Sequence, residues 1–242
     1  TKGSIPRVDL KGNIYIASMV RDPDQPLPKF FDDKLPSLKD KLKPSSEYWY
    51  SYMYGGIVKF PPEGGAIWFK EGEIGPSAKG EMPESLKQAP KIPFGFHFYY
   101  NTHETGVLQN ADWYRPGFSP YSETYPVGTP TCMCEGAGFD VDDWGRVFYP
   151  NLGQFRVEFI DNNNNWIGTF GHYGNAVSIG GGKASETAYK YESSERAHPD
   201  IPLAWPTYVA VSDTHAYIND TISSRVVAVK LTAELTETVA IP

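Results

Sequence analysis

A ten-residue pattern that recurs three times constrains the fold of this chain most strongly. Residues 8–17, Val-Asp-Leu-Lys-Gly-Asn-Ile-Tyr-Ile-Ala, align with residues 141–150, Val-Asp-Asp-Trp-Gly-Arg-Val-Phe-Tyr-Pro, and more loosely with residues 211–220. In each copy, β-branched and aromatic residues flank a short polar turn rich in residues that tolerate positive φ. The pattern therefore predicts three copies of a strand, a tight turn and a second strand.

A second hairpin is predicted after two of the copies. It covers residues 155–171 after the middle copy and, beyond an insertion, residues 57–69 after the first, with Ala66–Phe69 as a fourth strand. After the third copy only one further strand, 225–229, is predicted, because the residues that follow show no clear fourth strand. The repeating unit is thus four antiparallel strands, which is the composition of one propeller blade.

Residues 138–171 also carry a family pattern. They read Gly-Phe-x-Val-Asp-x-x-Gly-Arg-Val, then Arg-Val-x-Phe-x-Asp, then Gly-Thr-Phe-Gly. This segment closely resembles an NHL repeat, the blade of NHL-type β-propellers. The resemblance extends to residues 5–69 outside the insertion and weakens over 205–231, where His215 replaces the turn glycine. It implies an all-β fold, a β-propeller of four-stranded antiparallel blades.

The number of predicted blades has a consequence for assembly. Three blades do not close a ring, since propellers typically have four to eight, and an open arc leaves apolar sheet faces exposed. Either the unassigned segments form degenerate blades, or the rest of the ring comes from a missing upstream segment or another polypeptide chain. We favour the second alternative, because Thr1 lies almost at the first strand. We therefore expect residues 1–242 to form a single, partial propeller domain.

Three long insertions are predicted to meet at one end of this domain. They cover residues 18–54, 76–135 and 172–204. Since strand direction alternates within a blade, their connections lie at the end opposite the short turns. We expect them to form a cap over the mouth of the central channel, where function concentrates on long loops.

The predicted cap contains candidate metal ligands. Cys132 and Cys134 form a Cys-x-Cys pair, and thiolate with imidazole could bind zinc or copper. Two other interpretations are packed thiols, and a link to a partner chain or a strained local disulfide. A Cys-x-x-Cys-His haem attachment motif is absent from the sequence. The histidines that we consider as further ligands are His97, His103 and His172, with His198 as an additional candidate.

An aromatic run in the first insertion is a candidate partner-binding surface. Aromatic rings offer a large contact area at low entropic cost, although packing of the run onto the cap is an equal alternative. The run consists of Tyr48, Trp49, Tyr50, Tyr52 and Tyr54.

The net charge of the chain and the motifs in its sequence limit the functions that we expect of it. The chain has 22 Lys and Arg against 29 Asp and Glu, a formal charge of −7, and no basic run, so we expect no nucleic-acid partner. No apolar stretch is long enough to span a membrane. Because the sequence contains no common catalytic motif, we prefer a binding or structural propeller, a subunit of a larger secreted or periplasmic assembly. The alternative is a metal-dependent propeller enzyme, similar to lyases and lactonases, with its site at the channel mouth.

Overall fold

A computed structural model describes residues 5–18, 20, 22–23, 55–68, 84–98, 102–118, 137–174 and 200–232. The regular secondary structure of the described residues is almost entirely β-strand, which confirms the all-β fold class. Their helical structure consists of two short 3-10 turns, Glu84–Leu86 and Leu152–Gln154. None of the described helical segments approaches the length and hydrophobicity of a membrane-crossing helix.

Sixteen strands are described. In chain order they are β1 (Arg7–Val8), β2 (Ile14–Ser18), β3 (Gly55–Phe60), β4 (Ala66–Trp68), β5 (Lys91–Phe98), β6 (Thr102–Gln109), β7 (Trp113–Phe118), β8 (Asp140–Val141), β9 (Val147–Asn151), β10 (Arg156–Ile160), β11 (Trp166–Phe170), β12 (His172–Tyr173), β13 (Pro202–Leu203), β14 (Pro206–Val211), β15 (His215–Asp220) and β16 (Arg225–Lys230).

Four sheets contain most of these strands. The first sheet has the order β1-β2-β3-β7 and the second the order β8-β9-β10-β11, both antiparallel throughout. The third sheet, β14-β15-β16, is antiparallel as well. A further three-stranded sheet, β4-β6-β5, is called the covering sheet below. The short strands β12 and β13 pair in parallel.

The second sheet confirms the four antiparallel strands that the sequence predicts within residues 138–171. Its four strands form a meander whose register places Glu158 opposite Tyr149 and opposite Thr169. The third sheet likewise contains the three strands predicted from the weaker copy, and no fourth strand follows β16 among the described residues.

The prediction that Ala66–Phe69 forms the fourth strand of the first sheet is wrong. Its described part, Ala66–Trp68, pairs with β6 in the covering sheet, and the fourth strand is Trp113–Phe118. The physical reason is that the side chains of Val58 and Phe60 on the first sheet need an apolar layer over them. The covering sheet provides that layer, with Phe94 and Leu108 in the same cluster as Val58 and Phe60, before the chain returns to the edge of β3 as β7.

The sheets pack face to face through three apolar clusters. The first and second sheets share a core that includes Tyr15, Ile57, Phe118, Phe139 and Tyr149. The second and third sheets share one that includes Phe148, Val157, Leu203, Val209 and Ile218. On its other side, the first sheet packs on the covering sheet through Val58, Phe60, Phe94 and Leu108. The layers therefore follow one another as covering sheet, first, second and third sheet.

The same aspartate turn closes three described hairpins, beginning at Asp9, Asp142 and Asp161. One carboxylate oxygen accepts hydrogen bonds from the backbone N–H groups two and four residues later, at 2.8–3.1 Å. The other oxygen accepts one from the side chain four residues later, at 2.6–2.8 Å. The donating side chains are those of Asn13, Arg146 and Asn165.

Each aspartate turn also contains one residue in the left-handed region. Its φ is +83° at Gly12, +78° at Gly145 and +70° at Asn164. The N–H of this residue donates to the carbonyl oxygen of the turn's aspartate, three residues earlier. Glycine and asparagine adopt this conformation at the lowest cost. The Asp-x-x-Gly and Asp-x-x-Asn spacing in the sequence therefore follows from the turn.

The short turns lie together at one end of the sheets, as predicted. A Cβ atom added at Gly12 would lie 3.4 Å from Cγ of Pro62. One added at Gly145 would lie 3.1 Å from Cβ of Asn162 and 3.4 Å from Oδ2 of Asp9. Whether the three insertions meet at the opposite end stays a prediction, because much of each insertion lies outside the described residues.

We expect substitution of Asp142, a buried turn aspartate, to destabilise the protein more than substitution of Asp161 in an exposed turn. The side chain of Asp142 is 2% exposed, and Asp142→Ala leaves two backbone N–H groups and Arg146 without their acceptor. The expected loss in the free energy of unfolding is about 2–3 kcal/mol. Asp161→Ala, in an exposed turn, should cost about 1 kcal/mol or less. Urea unfolding followed by circular dichroism measures both, and equal losses would contradict the argument.

Candidate functional site

Many of the predicted site residues lie outside the described residues. These are Cys132, Cys134 and His198, together with the aromatic run Tyr48, Trp49, Tyr50, Tyr52 and Tyr54. Their assignment as metal ligands or as a partner-binding surface therefore stays a prediction.

The structure brings two of the predicted histidines together. His97 on β5 lies directly opposite His103 on β6 in the antiparallel register of the covering sheet. His172 is in a different place, exposed on β12, where its backbone N–H donates to the carbonyl oxygen of Ile201. The described part of the chain contains no group of three or more His, Cys, Asp or Glu residues that could hold a metal ion.

A buried polar network lies between the first and second sheets. Glu158 accepts hydrogen bonds from Tyr149 Oη at 2.9 Å, from Asn151 Nδ2 at 2.9 Å, and from Arg156 Nη2 at 2.6 Å. Arg115 on β7 donates to the Tyr149 hydroxyl at 3.4 Å, which links the network to the first sheet. The bonds from Tyr149 and Asn151 join β9 to β10, and the bond from Arg115 joins the second sheet to the first.

The pKa values in this network favour a structural role. Burial raises the pKa of Glu158, but hydrogen bonds from Arg156, Asn151 and Tyr149 outweigh burial, so the pKa lies below its ordinary value. Burial and the nearby Glu158 carboxylate raise the pKa of Tyr149 to about 12. Neither group is therefore a base or an acid with a pKa near neutrality, as general acid–base catalysis prefers.

Asp140, on β8, connects the first, second and third sheets. Asp140 lies 3.2 Å from Arg7 Nε on the first sheet and accepts a hydrogen bond from the backbone N–H of Val211 on the third, at 2.9 Å. Arg7 Nε also donates to the carbonyl oxygen of Phe139. The strands β1, β8 and β14 are thus tied side by side, and the carboxylate of Asp140 serves this connection.

One apolar surface of the described residues has no layer over it. We call it the open face, and it is the side of the third sheet that points away from the second sheet. Tyr208, Tyr217 and Val226 are 46%, 42% and 68% exposed there, whereas Val209 and Ile218 on the opposite side are buried. The register aligns Ala210, Tyr217 and Ala228 across the three strands. The apolar residues of the open face are Tyr208, Ala210, Tyr217, Val226 and Ala228, and the register places His215, Asn219 and Lys230 on the same side of the sheet.

Sequence reasoning missed the open face as a site, although a signal for it is present. The strand β16 reads Arg-Val-Val-Ala-Val-Lys, with four consecutive apolar residues. A strand with one side in water normally alternates, and a continuous apolar run is typical of a strand buried on both faces. The composition of β16 therefore indicates that something covers its second face.

Comparison with known proteins adds no family to these observations: no protein-family model matches the chain, and no curated protein matches it.

The Glu158 network predicts a change in acid stability. Because the pKa of Glu158 is lower in the folded protein than its ordinary value of 4.5, its ionisation stabilises the fold above pH 4.5. That contribution is lost as the pH falls through the folded-state pKa. Glu158→Gln should lower the free energy of unfolding by about 1–3 kcal/mol at pH 7, with the difference from the unmodified chain shrinking below pH 4.5. A difference that is constant from pH 7 to pH 3 would contradict this.

Proposed function

We propose that the protein is a binding or structural module, a subunit of a larger secreted or periplasmic assembly. The observation that carries this proposal is the open face, an exposed and largely apolar sheet surface with Tyr217 on its central strand and Tyr208 on the neighbouring strand. Large apolar patches on soluble proteins mark interaction sites, and tyrosine is enriched among the residues that dominate interface energies.

We also propose that the sheets are blades of an NHL-type β-propeller. Three features support this: the four-stranded meander of the second sheet, its face-to-face packing between two other sheets, and the side-by-side arrangement of the strands β1, β8 and β14. In a propeller, each blade face packs on a neighbouring blade. A blade face without a neighbour is a docking surface for another β-sheet.

A second copy of this chain is the occupant that we propose for the open face. The opposite end of the layers is closed, because the covering sheet packs on the first sheet through Phe94 and Leu108. Of the first, second and third sheets, the third is therefore the one with a face that no other described sheet covers. Two copies that pair these faces about a two-fold axis cover both, which gives a closed dimer with the same patch on each partner.

The proposal predicts a dimer of twice the 27.0 kDa chain mass at micromolar concentration. Tyr217→Lys places a charge at the centre of the open face, so the dissociation constant should rise at least about tenfold. Native mass spectrometry and light scattering measure the mass. Trp166→Lys is the matched control, because Trp166 is 55% exposed but lies on β11, away from the open face.

Two results would overturn this assignment. One is a monodisperse monomer of the unmodified chain at tens of micromolar. The other is a dimer that Trp166→Lys weakens as much as Tyr217→Lys does. A dimer that only Tyr217→Lys dissociates supports it.

Metal binding is a second candidate function, favoured by the register of the covering sheet. Residues directly opposite in an antiparallel pair lie on the same face, with Cβ atoms about 4.5–5.5 Å apart, and His97 and His103 occupy such positions. Imidazole binds zinc and copper, and Cys132 and Cys134 are the sulfur ligands predicted from the sequence. This site would serve the alternative function, a metal-dependent propeller enzyme of the lyase or lactonase type.

Elemental analysis of the purified protein tests this second candidate. Zinc or copper should be present at about one ion per chain and should be lost from His103→Ala and from the Cys132→Ser, Cys134→Ser double variant. His172→Ala serves as the control, because His172 is exposed on β12 and should not affect the metal content. Absence of stoichiometric metal from the unmodified chain after zinc or copper is supplied would refute metal binding.

A further inference from the structure

A cleft of about 550 Å³ lies between the second and third sheets. Trp144 and Asp213 line it from two of the short turns, Thr169 and Phe170 line it from β11, and residues 229–232 line it from the third sheet. Binding sites for small molecules commonly have volumes of about 300–1,000 Å³. The cleft therefore has the size of a small-molecule site.

Much of the lining of this cleft is aromatic. The rings of Phe148 and Phe159 are stacked with their centroids 5.1 Å apart, and the ring centroid of Phe170 lies 6.2 Å from that of Phe159. Val229 and Leu231 pack against the same apolar cluster from the third sheet. Such a lining favours a ligand with a flat apolar body, because ring contacts add to the burial of apolar area.

Arg146 is held in a fixed position at this lining. Its guanidinium carbon lies 5.1 Å from the ring centroid of Trp144 and 5.5 Å from that of Phe148, and its Nε donates to Asp142 Oδ2 at 2.6 Å. That bond uses one of the five guanidinium N–H groups, and no described residue accepts a hydrogen bond from the two Nη nitrogens. The Arg146 side chain lines the cleft and is 24% exposed.

This position of Arg146 favours a carboxylate as its partner. The paired N–H groups of a guanidinium match the two oxygens of a carboxylate in geometry and charge. Because the rings and Asp142 already restrict the guanidinium, a ligand that binds it loses little further side-chain entropy.

The charges around the cleft favour an occupant with a single negative charge. Asp142 balances the charge of Arg146, and two exposed residues of opposite charge, Lys230 and Asp213, also line the cleft. A monocarboxylate adds one negative charge to this balanced set. A dianion such as a phosphate monoester brings a second negative charge close to Asp213, which repels it.

We propose that this cleft binds an aromatic monocarboxylate, with the carboxylate on the Nη nitrogens of Arg146 and the ring system against Phe159 and Phe170. The site is formed by the second and third sheets of one chain. It adds a small-molecule ligand to the proposed binding module and does not depend on the pairing of two chains.

Three ligands with the same ring system test this proposal on the unmodified chain. Naphthoate carries one negative charge, naphthylmethanol carries none, and naphthyl phosphate carries two at about pH 8. In isothermal titration calorimetry at that pH, naphthoate should bind at least about tenfold more tightly than either of the others, because it alone matches Arg146 without a second charge near Asp213.

Two substitutions separate recognition of the charge from damage to the fold. Arg146→Lys keeps a cation beside Asp142 but removes the paired N–H groups, so the affinity for naphthoate should fall at least about tenfold and that for naphthylmethanol less than about twofold. Asp213→Asn removes the repelling carboxylate from an exposed turn, so the affinity for naphthyl phosphate should rise at least about threefold. Asp200→Asn is the matched control, because Asp200 is exposed but does not line the cleft, and it should leave all three affinities unchanged.

Three results would overturn the proposal. The first is the absence of saturable naphthoate binding to the unmodified chain. The second is equal affinity for naphthoate and naphthylmethanol, because the apolar lining alone then accounts for binding. The third is a naphthoate affinity that Arg146→Lys leaves unchanged or lowers no more than that for naphthylmethanol. If Arg146→Lys does not fold, the comparison of the three ligands on the unmodified chain and on Asp213→Asn decides the matter. The open face is judged separately, by the mass of the protein without ligand.

Discussion

The aspartate turn is the interaction on which the arrangement of the sheets depends. A single carboxylate at Asp9, Asp142 or Asp161 fixes the backbone of four residues through two main-chain hydrogen bonds and one side-chain bond. It thereby sets the register of the strands on either side. At Asp9 the same carboxylate also accepts a hydrogen bond from the buried Tyr15 hydroxyl at 2.9 Å, so the turn is joined directly to the core between the first two sheets.

Because the turns meet at one end, they also hold the sheets in position relative to one another. The carbonyl oxygen of Asn162, in the third aspartate turn, accepts hydrogen bonds from Lys59 Nζ and Trp113 Nε1 of the first sheet, at 3.1 and 3.0 Å. Lys59 in turn lies 3.2 Å from Asp112. Polar contacts at the end where the turns lie and apolar clusters between the sheet faces thus stabilise the same packing. Asp140 adds a connection between β1, β8 and β14.

Local sequence patterns predict this fold where each strand pairs with its neighbour in the chain. The second sheet and the three strands of the third follow from alternation and from the Asp-x-x-Gly turn, since all the information lies within about ten residues. Local patterns do not predict the first sheet in the same way. Its strands β3 and β7 pair with each other, but the strands of the covering sheet lie between them in the sequence. Their pairing depends on the apolar layer over Phe60, which is a contact between residues distant in the chain that no local pattern reveals.

The candidate sites could be predicted only in part for the same reason. The open face depends on which side of the third sheet packs on the second, and that choice is made by tertiary contacts of Val209 and Ile218. The sequence places His97 and His103 in one region, but only the register of β5 and β6 sets them opposite one another. The aromatic run and the Cys-x-Cys pair lie outside the described residues, so their roles stay predictions.

The contact between Arg7 and residues 139 and 140 has a consequence for biosynthesis. Arg7 Nε donates to the carbonyl oxygen of Phe139, 132 residues further along the chain. A ribosome that adds roughly 5–20 residues per second needs on the order of ten seconds to synthesise that interval. During this time the strands β1 and β2 have been made but the second sheet, which covers Tyr15 and Ala17, has not. The nascent chain must therefore pass through a stage in which an apolar face is exposed, and this stage sets the period in which it is most open to misassembly.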